Sequence, residues 1–116
     1  MGFFSKSKQQ TTRELPNYQK ESITNSFERI IFEHITTDED EYIMSLAQEL
    51  LSGNPLVLNF EEQSPDSANK IMAFLSGVIF AVEGQIVQIS QKVFLFAREQ
   101  DFKDGTLKQF IDEYKE

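Results

Sequence analysis

The sequence lacks cysteine and tryptophan and has one histidine, His34. Without cysteine the chain has neither a disulfide framework nor thiol chemistry, which fits a cytosolic protein. One histidine and no cysteine leave no common zinc ligand set. The motifs GxGxxG, HExxH, GxSxG and CxxC and the phosphate-binding loop GxxxxGK are also absent. These absences predict a protein that is not an enzyme and that holds no metal or cofactor.

Long apolar runs are missing as well. No window of about 18 residues is apolar enough for a membrane-spanning helix. The N-terminal run MGFFSKSKQQ is too short in apolar residues for a signal peptide. A chain of 116 residues with 40% apolar residues, 11 of them Phe, can still bury a sizeable core. We therefore expect one compact domain with a short arm.

Charge is divided unevenly along the chain. The first 20 residues carry four basic and one acidic side chain, a net charge of +3, and the other 96 carry seven basic and 18 acidic side chains, a net charge of −11. A body this acidic repels phosphate backbones, so no nucleic-acid partner is expected.

Residues 5–25 are polar, contain Pro16 and show no periodicity, and we interpret residues 1–25 as a flexible arm. Its first eight residues combine two aromatic with two basic side chains: Phe3, Phe4, Lys6 and Lys8. They fit either a solvated terminus or a weak contact with an anionic membrane, where each basic residue contributes about 1 kcal/mol.

A βαβ unit is predicted next. The run FERIIFEHI, residues 27–35, is typical of a buried strand, with His34 as an ordinary strand residue near its end. Residues 36–39 match a capping box, and the acids of residues 38–41 suit a helix N-terminus better than a metal site. Gly53 and Pro55 end this helix. The strand LVLNF, residues 56–60, should then run parallel to the first strand.

A second helix begins at Ser64, a favourable N-cap. Its core stripe comprises Ala68, Ile71, Met72, Leu75, Val78, Ile79 and Val82. Beside it runs a stripe of small residues, Ala73, Gly77 and Ala81, flanked by Phe74 and Phe80. This small-residue stripe fits either packing against the other helix or a homodimer surface. Gly84 is predicted to end the helix with positive φ.

The last part of the chain is predicted to form a hairpin and a helix. Strands at residues 85–89 and 92–97 flank a turn near Ser90, and VFLFA is apolar on both faces. Cover for the second face must come from the C-terminal segment or from another subunit. The helical spacing of Leu107, Phe110, Ile111 and Tyr114 makes the C-terminal segment a candidate.

The predicted fold is therefore a two-layer α/β sandwich of order β-α-β-α-β-β with a short C-terminal helix, expected to be homodimeric. Residues 26–98 form the core and residues 99–116 the tail.

The run SANKIMAFLSGVIFAVEGQIVQISQKVFLFA resembles the core of the SepF family of bacterial cell-division proteins. The similarity extends back through LVLNF and forward to Gly105 and Thr106, over about residues 27–112. The chain departs from the family pattern at Glu83, Ser90 and Arg98.

The resemblance implies a non-enzymatic adaptor at the inner face of the cytoplasmic membrane at the division site. It implies three partners: the C-terminal peptide of FtsZ, further copies of the chain in dimers and polymers, and an anionic membrane. Its candidate residues are Ala68 and Phe94 for the peptide, Ala73, Gly77, Ala81 and Gly84 for self-association, and Phe3, Phe4, Lys6 and Lys8 for the membrane. A tether of this kind predicts a shallow apolar groove near Phe94. The alternative is a soluble homodimeric α/β interaction module without a membrane role.

Overall fold

A computed structural model describes residues 25–114 and shows the predicted order of strands and helices. Two 3-10 helices, Phe27–Arg29 and Glu99–Phe102, accompany the regular elements. The strands are β1 (Ile31–His34), β2 (Leu56–Asn59), β3 (Gly84–Ser90) and β4 (Val93–Arg98). The α-helices are α1 (Asp40–Leu51), α2 (Pro65–Ala81) and α3 (Thr106–Tyr114). None of these helices is long and apolar enough to cross a membrane.

The four strands form one sheet in the order β1-β2-β4-β3. Strands β1 and β2 are parallel, with Ile31 opposite Leu56, as the βαβ pattern predicts. Strand β4 pairs antiparallel with β2 on one side and with β3 on the other, which confirms the hairpin. The apolar strand VFLFA is therefore central, and its two neighbours satisfy its backbone hydrogen bonds.

Helices α1 and α2 cover one face of the sheet. Their buried residues include Ile43, Leu46 and Leu50 from α1 and Ile71, Leu75 and Ile79 from α2. They enclose a cluster with the side chains Leu56, Leu58 and Phe96 of the sheet. The predicted cap of α2 is present, because the Ser64 hydroxyl accepts the N–H of Ser67 at 3.2 Å and Pro65 opens the helix. The α/β fold class is confirmed.

Helix α3 lies against the opposite face. Phe110 of α3 packs in a second cluster with Val57 of β2, Ile89 of β3 and Leu95 of β4. These strand residues alternate with Leu56, Leu58 and Phe96, which point towards α1 and α2. Of the two predicted sources of cover for β4, the C-terminal segment is thus the one that the structure shows.

Two local predictions in the first βα unit were wrong. The predicted strand at residues 27–35 shortens to β1, because the N–H groups of Ser26 and Phe27 donate to Asp104 and Thr106 instead of to a sheet neighbour. The capping box is absent as well. Glu39 is the N-cap residue of α1 and makes no side-chain cap, whereas the Asp38 carboxylate accepts a hydrogen bond from the Ser67 hydroxyl at 2.8 Å.

The prediction of positive φ at Gly84 was also wrong. Glu83 takes that conformation with φ 59°, and Gly84 is already the first residue of β3. Glycine is needed there for another reason, since a Cβ atom at residue 84 would lie 2.5 Å from the carbonyl oxygen of Ala97. The close approach of β3 to β4 therefore selects glycine.

We expect opposite effects from alanine at the two glycines that flank the end of α2. Gly84→Ala should lower the free energy of unfolding by about 1–3 kcal/mol, because the added methyl overlaps the backbone of β4. Gly77→Ala should raise it by about 0.5–1 kcal/mol, because residue 77 is helical with open space around its Cβ position. Urea denaturation at low protein concentration measures both. Equal effects of the two variants would contradict the assigned packing of Gly84.

Candidate functional site

The two candidate residues for peptide binding lie on the helix-covered side of the sheet. Ala68 is half-buried in the first turns of α2, and Phe94 is half-buried in β4. Both pack against the hydrophobic cluster between the sheet and the helices α1 and α2. The Phe94 ring meets the Phe60 ring edge-on, with the centroids 6.0 Å apart. The structure thus places Ala68 and Phe94 at one apolar cluster, each with part of its surface exposed.

The small-residue stripe lies on the outer side of α2. Ala73, Gly77 and Ala81 are exposed, and a Cβ atom at Gly77 would meet no atom within 4 Å. Phe80 next to them is 85% exposed. The stripe therefore does not pack against α1 within the described chain, which removes one of the two predicted alternatives.

The exposed apolar surface continues from α2 towards α1. A hollow of about 370 Å³ is lined by Asp40, Ile43, Met44, Lys70 and Phe74. The ion pair between Lys70 and Asp40, with 3.2 Å between Nζ and Oδ1, lies at this hollow. Gly84 is not part of this surface, because it faces β4 at the start of β3. The structure thus brings together three of the four candidate self-association residues.

A groove of about 530 Å³ opens on the other face of the sheet, beside α3. Most of its lining is apolar, and it reaches across all four strands: Phe32, Glu33, His34, Val57, Asn59, Ile89, Ser90, Val93, Phe110 and Tyr114. Phe94 is not among these residues; its neighbour Val93 is. This groove therefore lies on the face of β4 opposite to Phe94. We refer to it as the sheet-face groove.

Two carboxylates contact β1 or belong to it, Glu62 on the side of the sheet-face groove and Glu33 on the side of α1. His34 is paired with Glu62, with 3.3 Å between Nε2 and Oε2, and both side chains are substantially exposed. The Tyr42 hydroxyl donates a hydrogen bond to Glu33 Oε1 at 2.8 Å. Burial, followed by this hydrogen bond to Glu33, raises the pKa of Tyr42 well above its ordinary value. The Tyr42 hydroxyl thus holds one Glu33 oxygen in place.

Two aspartates attach the α3 side of the groove to the rest of the molecule. Asp101 is buried and pairs with both Arg29 and Arg98. Arg29 also donates from Nε to the carbonyl oxygen of Gly53 at 3.2 Å. A buried carboxylate is costly unless charged partners surround it, so this cluster fixes the segment before α3 to β4 and to the first 3-10 helix.

Asp104 caps the start of α3. Its Oδ1 accepts the N–H of Thr106 at 3.0 Å, and its Oδ2 accepts the N–H of Ser26 at 2.8 Å. These two backbone donors, first Thr106 and then Ser26, lower the pKa of Asp104 to about 2. One carboxylate therefore joins α3 to the first described residues of the chain.

Sequence reasoning missed the groove and both aspartates. One signal for Asp104 was available, because an Asp two residues before Thr106 is typical of a side-chain turn at a helix start. Arg98 lies three residues before Asp101, but its other partner, Arg29, lies 72 residues away. The candidate membrane residues Phe3, Phe4, Lys6 and Lys8 lie outside the described residues 25–114. Within that range no group of three or more His, Cys, Asp or Glu side chains could hold a metal ion.

Comparison with known proteins decides the family. The sequence model of the family described as "Cell division protein SepF" matches residues 30–99, more than half of the chain. The chain belongs to the SepF family. The match covers all four strands with α1 and α2, whereas α3 lies beyond it. SepF proteins are cell-division adaptors and not enzymes.

Individual relatives agree with this assignment. The cell division protein SepF of Lactobacillus helveticus is 33% identical over 67 residues, which is 58% of this chain and 46% of the relative. That of Carboxydothermus hydrogenoformans is 30% identical over 83 residues, 72% of this chain and 58% of the relative. The chain thus spans about half the length of the curated SepF proteins it matches.

A solved structure supports the fold. The SepF-like protein from Archaeoglobus fulgidus superposes with a TM-score of 0.53 at 17% identity, and the match covers 60% of this chain and 83% of that one. At this identity the likeness concerns the fold alone.

We expect Asp104→Asn to lower stability at neutral pH, because the amide has nearly the same shape but only one acceptor oxygen and no negative charge for the two N–H groups that Asp104 binds. The folded pKa of about 2 lies below the unfolded value near 4, so this contribution is fully present above pH 4. The difference in the free energy of unfolding between the parent and Asp104→Asn should disappear as the pH falls through about 2. Denaturation of both proteins between pH 7 and pH 2 measures this difference. A difference that stays constant with pH would contradict this role.

Proposed function

We propose that this chain is a cell-division adaptor that self-associates, binds the C-terminal peptide of FtsZ and holds FtsZ filaments at the cytoplasmic membrane. Membership of the SepF family supports the cell-division role. The observation that carries the proposal further is the apolar outer side of α2, which the described chain leaves open to solvent. Adaptors work through such surfaces and not through a reaction centre.

Self-association would use the outer side of α2. Small side chains at positions 73, 77 and 81 allow a second backbone to approach closely, and Phe74 and Phe80 supply apolar area at the rim. Full burial of one Phe side chain is worth about 1.5–3 kcal/mol. In a dimer with a twofold axis, both copies would bury these same residues at the interface. The stripe therefore has the shape and the composition of a symmetric interface.

Gly77→Glu tests this surface without weakening the fold, because Glu is the better helix former and its side chain has open space. We expect the dissociation constant of the homo-oligomer to rise about tenfold or more, since the carboxylate would be buried unpaired at the interface. Sedimentation over a concentration series measures it. Gln109→Glu on α3 adds the same charge on the other face and is the matched control. Equal oligomerisation of Gly77→Glu and the parent would remove α2 as the interface.

The peptide site would lie at the cluster that contains Ala68 and Phe94. Phe94 keeps part of its ring exposed while Phe60 supports it from beneath. An aromatic side chain held in this way is typical of the few residues that carry most of an interface's binding energy. Ala68, in the first turns of α2, packs against the same cluster. A partner with apolar side chains, such as a hydrophobic peptide, suits this site better than a polar ligand does.

We expect Phe94→Ser to weaken retention of the FtsZ C-terminal peptide by about thirtyfold, the effect of losing an anchor worth about 2 kcal/mol. Because Phe94 also contacts the core, Ala68→Gln is the second variant, placed on a helix that tolerates Gln. Leu51→Ser at the exposed end of α1 is the control. A pull-down with circular dichroism on each protein measures binding and folding. Full retention by both folded variants would remove this site.

The membrane contact would be made by residues 1–8. Two Phe and a few basic residues give a weak, reversible attachment, with about 1 kcal/mol for each basic residue near anionic lipid. Several arms joined in one oligomer raise the apparent affinity through effective concentration. The acidic body, with its net charge of −11 beyond residue 20, would be held away from the lipid. Membrane attachment thus depends on self-association.

A further inference from the structure

The sheet-face groove has no role in the function proposed above. Its apolar lining includes Phe32, which is 56% exposed, and Tyr114, which is 59% exposed. Both rings contact Phe110, with centroids 5.9 Å and 4.5 Å away. Rings this exposed beside an open groove of about 530 Å³ leave apolar surface that another chain segment can cover.

We propose that the N-terminal arm of the same chain, residues 1–24, docks in the sheet-face groove through Phe3 and Phe4. Docking would withdraw from the membrane the residues that the proposed function assigns to it. The regulatory part of this inference therefore rests on the proposed function. The docking itself does not.

The first argument is the place where the arm joins the described chain. Ser26 is buried and donates to Asp104, and the ring of Phe27 lies 5.7 Å from that of Phe110. A hollow of about 260 Å³ beside this point is lined by Asn25, Phe27, Thr106, Gln109, Phe110 and Glu113. It shares Phe110 with the sheet-face groove. The arm is thus attached at the rim of the groove, on the same face of the sheet.

The second argument is length. Phe4 and Asn25 are 21 positions apart in the sequence. A chain of that length spans at most about 70 Å, and its root-mean-square extension as a random coil is roughly 25 Å. The groove is close to the attachment point, so the tether reaches it without strain. Its effective concentration is then in the millimolar range, and weak binding is sufficient to fill the groove.

The third argument is charge. The first 20 residues carry a net charge of +3, and Lys6 and Lys8 follow directly after the two Phe. Glu62 pairs with the groove residue His34, and Glu113 lines the neighbouring hollow, whereas the Glu33 carboxylate contacts Tyr42 of α1 on the other side of the sheet. Apolar rings flanked by basic residues therefore match an apolar groove with acidic groups around it. Like charges would disfavour an acidic segment at this place.

The docked arm and the membrane-bound arm exclude each other, because both use Phe3 and Phe4. If docking and release are about balanced, the apparent affinity for membrane falls about twofold, in proportion to the fraction of arms that is free. In an oligomer that binds membrane through several arms, the reduction in apparent affinity applies to each arm. Contact with lipid and occupation of the groove thus form a switch within one chain.

Paramagnetic relaxation in the full chain tests the docking without lipid. Because the chain has no native cysteine, Ser5→Cys places a single spin label beside Phe4. We expect the amide signals of His34, Ser90 and Tyr114 at the groove to broaden, and those of Ser45 and Gly77 on the helix side to stay sharp. Labelled unenriched protein mixed with unlabelled ¹⁵N protein should show no broadening. Equal broadening of the groove signals in the mixture, or no broadening of them in the labelled chain, would overturn docking within one chain.

Two variants make the test specific. Phe3→Ala with Phe4→Ala should abolish the broadening and cannot disturb the described fold. Phe32→Glu in the groove should abolish it as well, whereas Leu51→Glu, an equal change of charge at an exposed site on α1, should leave it intact. Broadening that persists in both the arm variant and the groove variant would overturn the assignment to these rings.

Flotation with anionic vesicles separates this inference from the membrane role. Phe32→Glu should bind vesicles about twofold more tightly than Leu51→Glu, because its arm is no longer held in the groove. Equal binding of the two variants would overturn the competition. If the relaxation experiment shows docking while neither the full chain nor Phe32→Glu floats, the docking stands and the membrane role fails.

Discussion

Strand β4 imposes the constraint on which the rest of the structure depends. It lies between β2 and β3, and three consecutive residues, Leu95, Phe96 and Ala97, are fully buried. Consecutive residues of a strand point to opposite faces, so both faces of the sheet need apolar cover at this strand. Helices α1 and α2 supply it on one side, and the turns after β4 must bring α3 back to the other. The tail is therefore part of the fold and not an appendage.

The return of α3 depends on two carboxylates, each of which joins a nearby residue to one that is distant in sequence. Asp101 joins Arg98 at the end of β4 to Arg29 before β1, and Asp104 joins Thr106 of α3 to Ser26. Each carboxylate receives donors from two segments, so each is satisfied only when the tail is folded. The tail and the first described residues consequently form one unit, to which the N-terminal arm is attached.

Much of the fold could be predicted because its signals are local. The Ser64 cap, the spacing of Ile71, Leu75 and Ile79, and the two-faced β4 identify their elements within a few residues. Errors arose where distant groups decide the local structure. The N–H groups of Ser26 and Phe27 are taken by Asp104 and Thr106, which makes a 3-10 helix where β-branched and aromatic residues favour a strand. The carbonyl oxygen of Ala97 leaves no room for a Cβ atom at residue 84, so Gly84 is needed in β3. The positive φ is found one residue earlier, at Glu83.

The candidate surfaces were predictable to a smaller extent. The small-residue stripe of α2 follows from helical spacing, and only the position of α1 shows that it stays exposed. The sheet-face groove is assembled from four strands and α3, and its outline depends on the strand order and on how far α3 extends across the sheet. Neither the strand order nor the extent of α3 across the sheet can be derived from a single segment of the sequence. A surface made by one helix can be found in a sequence, whereas a surface shared by five elements cannot.

The position of Asn25 sets the orientation of any assembly built through α2. Its neighbour Ser26 is bonded to Asp104 before α3, on the face of the sheet opposite to α2. Two copies joined back to back along α2 would carry their arms on the two outer flanks. An arm of 24 residues spans at most about 80 Å, so in the proposed assembly both arms would meet one flat bilayer most easily with the pair on edge. Such a pair would present to the lipid neither its interface nor its sheet, only the narrow side of both subunits.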